Sequence, residues 1–297
     1  MRKVALQSAS VGVLVVLVCI EAAAQSPAAN LPTKGPTAIR SSRPLADAAD
    51  LLRHLYGRVV TYEETVLTWG GELTPSPRWN PSHPWLTWRP EAFVMPSETG
   101  TEPNLGLVLN RTIEAYQQGN SLRRFQVLNS AWGYHIVPMQ IHDDRGALVP
   151  AASVLDLRIS VAQEERTPYK HLAALAAAIA TAGGTQTAAV VQNPRGFDRL
   201  FRSTPPQFQW GVNAVLARDA LIDLLGRSAT TMVWDLRCSP SAEAEDRACA
   251  LNMSMIEVTT VDRQGVPANR VLKFDRCGNC PSPEPAPRTP SPKQTNR

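Results

Sequence analysis

Apolar side chains recur at three- and four-residue spacing in one stretch of the chain, Arg43–Tyr62, which reads RPLADAADLLRHLYGRVVTY. The spaced residues are Leu45, Ala48, Ala49, Leu52, Leu55 and Tyr56. This spacing predicts a helix with one apolar face. Pro44 suits its first turn and Gly57 suits its C-terminal end, and the β-branched and aromatic residues of Arg58–Tyr62 predict a strand. Because so short a helix is marginal alone, we expect its apolar face to pack on a sheet.

Two later segments repeat this order of a helix and a strand. Asp219–Leu225 is followed by Thr230–Leu236, and Tyr169–Ala182 is followed by Thr187–Val191. Two interpretations stay open. The segments are either a degenerate repeat or helix–strand pairs that align by chance.

The remaining pattern mixes helices and strands. A further helix is predicted over Asn104–Gln118, and the polar, proline-interrupted segment Asn193–Gln209 predicts a loop. Further strands are predicted over Leu122–Leu128, Tyr134–Ile141, Val154–Val161, Ala250–Val261 and Asn269–Phe274. Since the last strands resemble antiparallel hairpins, we predict an α+β fold: small helix–strand units packed on mixed or antiparallel sheets, in one or two domains.

Changes in composition divide the chain into five parts. These are a signal peptide (1–24), a flexible lead-in (25–42), an N-terminal α+β domain (43–162), a C-terminal α+β domain (163–276) and a Cys-x-x-Cys motif with a disordered Pro-rich tail (277–297).

The first 24 residues have the features of a secretory signal. Arg2 and Lys3 precede the apolar run Val11–Ile20, and small residues end the segment at Ala24. The run is too short to span a bilayer comfortably, so it predicts secretion rather than anchoring. We therefore expect a periplasmic or secreted protein, cleaved near Ala24, with no transmembrane segment in the mature chain. The style of the signal indicates a bacterial source.

The overall charge and composition exclude some classes of function. Charged residues make up 19% of the 297 residues and hydrophobic residues 43%, which is typical of a globular protein. The formal net charge of +4 is small and dispersed. A nucleic-acid partner is therefore not expected.

The segment Thr74–Pro90 is rich in proline and tryptophan, and so much proline excludes a central strand or helix. We favour a long loop, within 74–90, whose indole rings pack on prolines and cover the core. The alternative is an aromatic platform for a ligand, because indole faces stack well on flat apolar surfaces. The platform residues are Trp79, Trp85 and Trp88.

Four of the five cysteines follow the signal segment, and an even number in an exported protein favours disulfides. Cys238 ends one predicted strand and Cys249 begins the next, so we predict a bridge between them. Cys277 and Cys280 have redox-motif spacing, but Pro281 follows where thioredoxin chemistry needs a helix. A local disulfide is favoured there, and a zinc site of all four thiolates is the alternative.

No residue cluster predicts catalysis, a cofactor or a metal. His142, Asp143 and Asp144 form the best acid–base cluster, but they lie before Arg145-Gly146, where a solvated turn explains them better. Common nucleophile, phosphate-binding, dinucleotide-binding and zinc-protease motifs do not occur. A hydrolase centred on the three residues is the weakest of the hypotheses.

The stretch from Pro44 to Tyr62 resembles the short N-terminal domain of secretins and TonB-dependent receptors. The matching residues are Pro44, Leu45, Ala48, Leu52, Gly57, Val60 and Tyr62. Asp219–Trp234 is similar, with Ala229 where glycine is usual. The resemblance implies a small α+β module of the cell envelope that binds partner proteins. No pore or β-barrel region follows it, so the resemblance does not extend to a channel or receptor.

The expected function is therefore that of an exported, non-enzymatic envelope protein that acts through protein–protein contacts. The alternative is a module that binds the cell wall or a polysaccharide through the tryptophan-rich loop.

Overall fold

The computed structural model describes residues 36–66, 70–75, 86–96, 104–119, 123–143, 145–191, 193–201, 207–239, 248–261 and 267–272. The predicted signal peptide, residues 25–35 of the lead-in, Trp79, Trp85 and the tail with Cys277 and Cys280 lie outside the described residues.

Helices and strands alternate irregularly along the chain. The helices are α1 (Pro44–Tyr56), α2 (Leu105–Gln118), α3 (Pro168–Gly183), α4 (Pro194–Asp198) and α5 (Ala217–Leu225). The strands of the first half are β1 (Thr37–Ser41), β2 (Val60–Glu63), β3 (Leu73–Pro75), β4 (Leu86–Trp88), β5 (Glu91–Met95), β6 (Arg123–Asn129), β7 (Tyr134–His142) and β8 (Leu148–Pro150). Those of the second half are β9 (Arg158–Arg166), β10 (Gln186–Val190), β11 (Phe208–Leu216), β12 (Met232–Cys238), β13 (Ala248–Met255), β14 (Glu257–Val261) and β15 (Pro267–Val271).

Helix α1 and strand β2 confirm the helix–strand unit that the periodicity predicts. Pro44 is in the first turn, and Gly57 ends the helix with a left-handed φ of 57° while its N–H donates to Arg53 O. Leu45 and Leu52 are fully buried, but Leu55, which the spacing also placed on the apolar face, is 41% exposed. The buried face is therefore narrower than the sequence pattern indicates.

The central sheet joins strands from both halves of the chain. Its strand order is β10-β13-β12-β2-β7-β6, and β8 pairs antiparallel with the end of β7. Strand β2 pairs in parallel with both β12 and β7, whereas β13 and β6 run antiparallel to their inner neighbours. Mixed and antiparallel pairing, together with the five helices of the described residues, confirms the α+β class.

The predicted boundary between residues 162 and 163 does not separate two domains. It falls inside β9, and β2 from the first part hydrogen-bonds with β12 from the second. The reason is that residues distant in sequence pair through the main chain, which local composition does not reveal.

Helices cover both faces of this sheet. Because side chains alternate along a strand, Val60 and Tyr62 of β2 point to one face, where they pack with α1 and α2. Glu63 points to the opposite face, where it meets Arg218 of α5. On this opposite face, α3 and α5 pack together with Trp234 of β12 in a hydrophobic core. The predicted units α1–β2 and α5–β12 thus place their strands side by side and their helices on opposite faces.

Three segments differ from the sequence prediction. The end of the expected flexible lead-in forms β1, which pairs antiparallel with β5. The expected loop Asn193–Gln209 contains α4 and the beginning of β11. The strand expected at Val154–Val161 begins later, at Arg158, after a short 3₁₀ turn, and it pairs with β11. In each case the strand is stabilised by a non-local partner.

The predicted disulfide between Cys238 and Cys249 is confirmed. It joins the end of β12 to the beginning of β13, where the two residues are paired across the strands. The bridge uses two of the four thiolates that the alternative zinc site needs.

Replacing both Cys238 and Cys249 with serine is expected to lower the free energy of unfolding by about 2–3 kcal/mol, because the unfolded chain regains the freedom of the closed loop. Urea denaturation of the oxidised wild type and of the double variant measures the difference. Reduced wild-type protein is the control and should match the variant. Equal midpoints for the oxidised wild type and the variant would contradict this account of the bridge.

Candidate functional site

Buried charged side chains gather at three places in the described part of the chain. One lies between the sheet and α5, one between the sheet and α1, and one beside β4 and β6. A buried charge with hydrogen-bond partners is explained by the fold, whereas one without partners needs another explanation.

The first place is centred on Arg218 of α5. Its guanidinium donates to both carboxylate oxygens of Glu63, at 2.9 and 2.6 Å, and to Asp156 at 2.6 Å. Trp234 donates its indole N–H to Glu63 at 3.3 Å. The side chains of Glu63 and Arg218 are 0% and 7% exposed. Every charge here has a close partner, so this group holds α5 on the sheet.

His135 of β7 lies beside this group and is also fully partnered. Its ring nitrogens hydrogen-bond with the hydroxyls of Thr61, at 2.9 Å, and Ser130, at 2.7 Å. The ring stacks on Trp234 with centroids 5.2 Å apart. Burial, with a smaller contribution from the charge of Arg218, lowers the pKa of His135 from 6.5 to about 3. The histidine is therefore neutral near pH 7 and serves the packing of the sheet.

The second place holds α1 on the other face. Arg43 donates to Glu64 at 2.7 Å, and Glu64 also accepts from the Tyr62 hydroxyl and from Cys238 N–H. Further along α1, Arg53 pairs with Asp235 at 3.1 Å. These charges are again partnered, and their role is structural.

The third place differs in that some of its polar atoms lack partners. It consists of Glu72, which precedes β3, Trp88 of β4 and Arg123 of β6, and we call it the Glu72 cluster. The Arg123 guanidinium lies over the Trp88 ring, 4.4 Å from its centroid. Arg123 Nε is 3.8 Å from Glu72 Oε2, which is too long for a hydrogen bond. The three residues are 2%, 1% and 5% exposed, in that order.

The Glu72 cluster contains polar atoms without partners. Both carboxylate oxygens of Glu72, the indole N–H of Trp88 and the Nε–H of Arg123 have no hydrogen-bond partner among the described residues. Burial raises the pKa of Glu72 from 4.5 to about 7, although the charge of Arg123 opposes the increase. Nearby Tyr116 donates its hydroxyl to Glu91, so those two groups are already paired. Within the described ranges, four of the five buried side-chain atoms without a hydrogen-bond partner belong to the Glu72 cluster, and the fifth is His171 Nδ1.

The position of Trp88 bears on the proposed aromatic platform. Trp88 is buried, and Arg123 covers one face of its ring. It therefore does not present a free face for stacking. Trp79 and Trp85 lie outside the described residues.

The segment around His142 forms a turn. Asp143 Oδ1 accepts from the N–H groups of Arg145 and Ala147, each at 2.9 Å, and Asp143 N–H donates to Ala147 O. Asp144 lies outside the described residues. The turn explains Asp143 without acid–base chemistry. Across the described ranges, no group of three or more histidine, cysteine, aspartate or glutamate side chains is placed to hold a metal ion.

The two edges of the central sheet differ in how they are protected. Strand β6 carries Arg123 and Arg124 and a register shift, and Gln117 of α2 donates its side-chain amide to Phe125 O. Charge, irregular register and side-chain bonding all discourage a further strand. Strand β10, at the other end, reads QTAAV, with no charge and no proline. Among the described residues its one strand partner is β13, and we call its other side the β10 edge.

Sequence reasoning missed both Glu72 and Arg123. Arg123 followed Leu122 at the start of a predicted strand, and Glu72 preceded the predicted loop, so neither belonged to a motif. Burial brings them together, and no local signal in the sequence indicates it.

No helix within the described ranges has the length and apolar character needed to cross a membrane. Searches of protein-family models, curated proteins and solved structures found no match to this chain.

Proposed function

We propose that this chain is an exported, non-enzymatic protein of the cell envelope that acts through protein–protein contacts, and that the contact forms by strand addition at the β10 edge. The occupant of the edge is an extended segment of another envelope protein. Export follows from the predicted signal peptide with cleavage near Ala24, in the periplasm or outside the cell.

The observation that supports the proposal is that no strand of the described residues pairs with β10 on the side away from β13. An edge strand presents unpaired main-chain N–H and C=O groups, and an added strand satisfies them. Gln186–Val190 offers five uncharged residues, so a partner strand meets no like charge along it. The β6 edge of the same sheet gives the contrast, because it carries a register shift and a side-chain bond from Gln117.

The resemblance of Pro44–Tyr62 to the short N-terminal domain of secretins and TonB-dependent receptors is part of the same proposal. A module of that kind binds partner proteins in the envelope. Strand β2 belongs to the sheet that ends at β10, and α1 packs on one face of it, so a partner strand at the edge would extend the sheet that this module belongs to.

A photo-reactive amino acid at Val190, which is 44% exposed, tests the contact in intact cells. We expect a covalent adduct with another envelope protein. Adding Ala188→Lys on the same strand should reduce the adduct several-fold, because lysine on an edge strand opposes pairing. The matched control is Ala177→Lys on the exposed surface of α3, which should leave the adduct unchanged.

Each other outcome has a defined meaning. An adduct between two copies of this chain would show that the edge binds a second copy and not another envelope protein. An adduct that Ala188→Lys does not reduce would place the contact away from the β10 edge. Recovery of the monomer alone would contradict the proposed function.

A further inference from the structure

The residues of the Glu72 cluster come from three separate elements, and each has a polar group without a partner. Glu72 lies before β3, Trp88 ends β4 and Arg123 begins β6. All three are more than nine-tenths buried, and none of the four polar atoms concerned has a hydrogen-bond partner among the described residues. The orphaned atoms are therefore a shared property of one place in the fold.

Leaving these atoms unpaired is costly. A buried donor or acceptor without a partner destabilises the fold, and more so when it is charged. The ion pair does not remove this cost, because at 3.8 Å Glu72 and Arg123 attract each other without forming a hydrogen bond. A group from outside the chain that bonds to these atoms would recover much of that free energy.

The atoms present define the chemistry of that group. It has to accept hydrogen bonds from Arg123 Nε–H or Trp88 Nε1–H and donate one to the carboxylate of Glu72. A carbonyl oxygen does not donate, an ammonium group does not accept, and a bare anion is repelled by Glu72. A hydroxyl oxygen does both. The 3.8 Å between Arg123 Nε and Glu72 Oε2 is shorter than two hydrogen bonds of about 2.8 Å each, so one oxygen can reach both atoms.

We propose that Glu72, Trp88 and Arg123 form a binding site for one hydroxyl group. The hydroxyl comes either from a water molecule or from a small alcohol or sugar. The site is independent of the β10 edge, so its failure would leave the proposed protein contact untouched.

Nuclear magnetic resonance of the ¹⁵N-labelled mature chain distinguishes the two sources. The Trp88 indole N–H is assigned as the resonance that disappears in Trp88→Phe. Trp132 is the internal control, because its indole N–H is buried and already donates to Met232 O at 3.2 Å. In buffer alone, a nuclear Overhauser effect from water to the Trp88 indole, and not to that of Trp132, identifies water as the occupant.

Glycerol, glucose and N-acetylglucosamine at millimolar concentration are the probes for the second source. A shift of the Trp88 indole resonance together with loss of the water effect would identify an alcohol or sugar hydroxyl. A water effect that no probe alters would assign the site to water. If the Trp88 indole shows neither a water effect nor a response to any probe, the hydroxyl site is overturned.

Discussion

Arg218→Ala is expected to lower the free energy of unfolding by about 3–5 kcal/mol, because it leaves the carboxylate of Glu63 buried and without its main partner. Glu63 lies at the centre of the sheet with a side chain that is 0% exposed, and Arg218 donates to both of its oxygens. In the part of the chain that the structure describes, the donor that remains to Glu63 is Trp234, at 3.3 Å. Asp156 loses its bond to Arg218 as well.

Urea denaturation at neutral pH measures this effect. Arg237→Ala is the matched control, because Arg237 is 45% exposed and its partner Asp235 keeps the bond to Arg53. We expect the control to change stability by less than about 1 kcal/mol. A second variant, Arg218→Met with Glu63→Gln, removes both charges and should recover part of the loss. An Arg218→Ala protein as stable as the control would show that the Glu63 charge is relieved in some other way.

The parts of the fold that the sequence predicted are those with a local cause. Pro44, the spaced leucines and Gly57 fix the beginning, face and end of α1 without help from the rest of the chain. Helix α3, which covers the predicted segment Tyr169–Ala182, also has local cap residues at its two ends, Thr167 and Gly184. The bridge between Cys238 and Cys249 was predictable because both cysteines flank one hairpin loop.

The parts that the sequence did not predict depend on distant partners. Strand β2 lies between β12 and β7, and its own residues do not indicate which strands pair with it. Strand β1 exists because β5 pairs with it, although its residues looked like a lead-in. The same holds for the candidate site, since Glu72 and Arg123 are ordinary charged residues until the fold buries them side by side.

Glu72→Gln is expected to raise the free energy of unfolding by up to about 3 kcal/mol at pH 8, which is the free energy of a pKa change from 4.5 to about 7. The pKa of Glu72 is raised in the folded protein, so between pH 4.5 and 7 the folded state binds more protons than the unfolded state. Wild-type stability therefore falls as pH rises through that range. Glutamine has no charge to bury, so the variant lacks this decrease and both proteins should be equally stable near pH 4.

Denaturation of both proteins from pH 4 to pH 8 measures the difference, with Glu114→Gln on the exposed face of α2 as the control. The control should follow the wild type at every pH. A hydroxyl that donates to Glu72 stabilises its charged form and lowers its pKa. If the hydroxyl comes from a sugar, adding that sugar should therefore reduce the difference in free energy of unfolding between wild type and Glu72→Gln at pH 8. A difference in the free energy of unfolding that is absent at pH 8 without added ligand would contradict the raised pKa of Glu72.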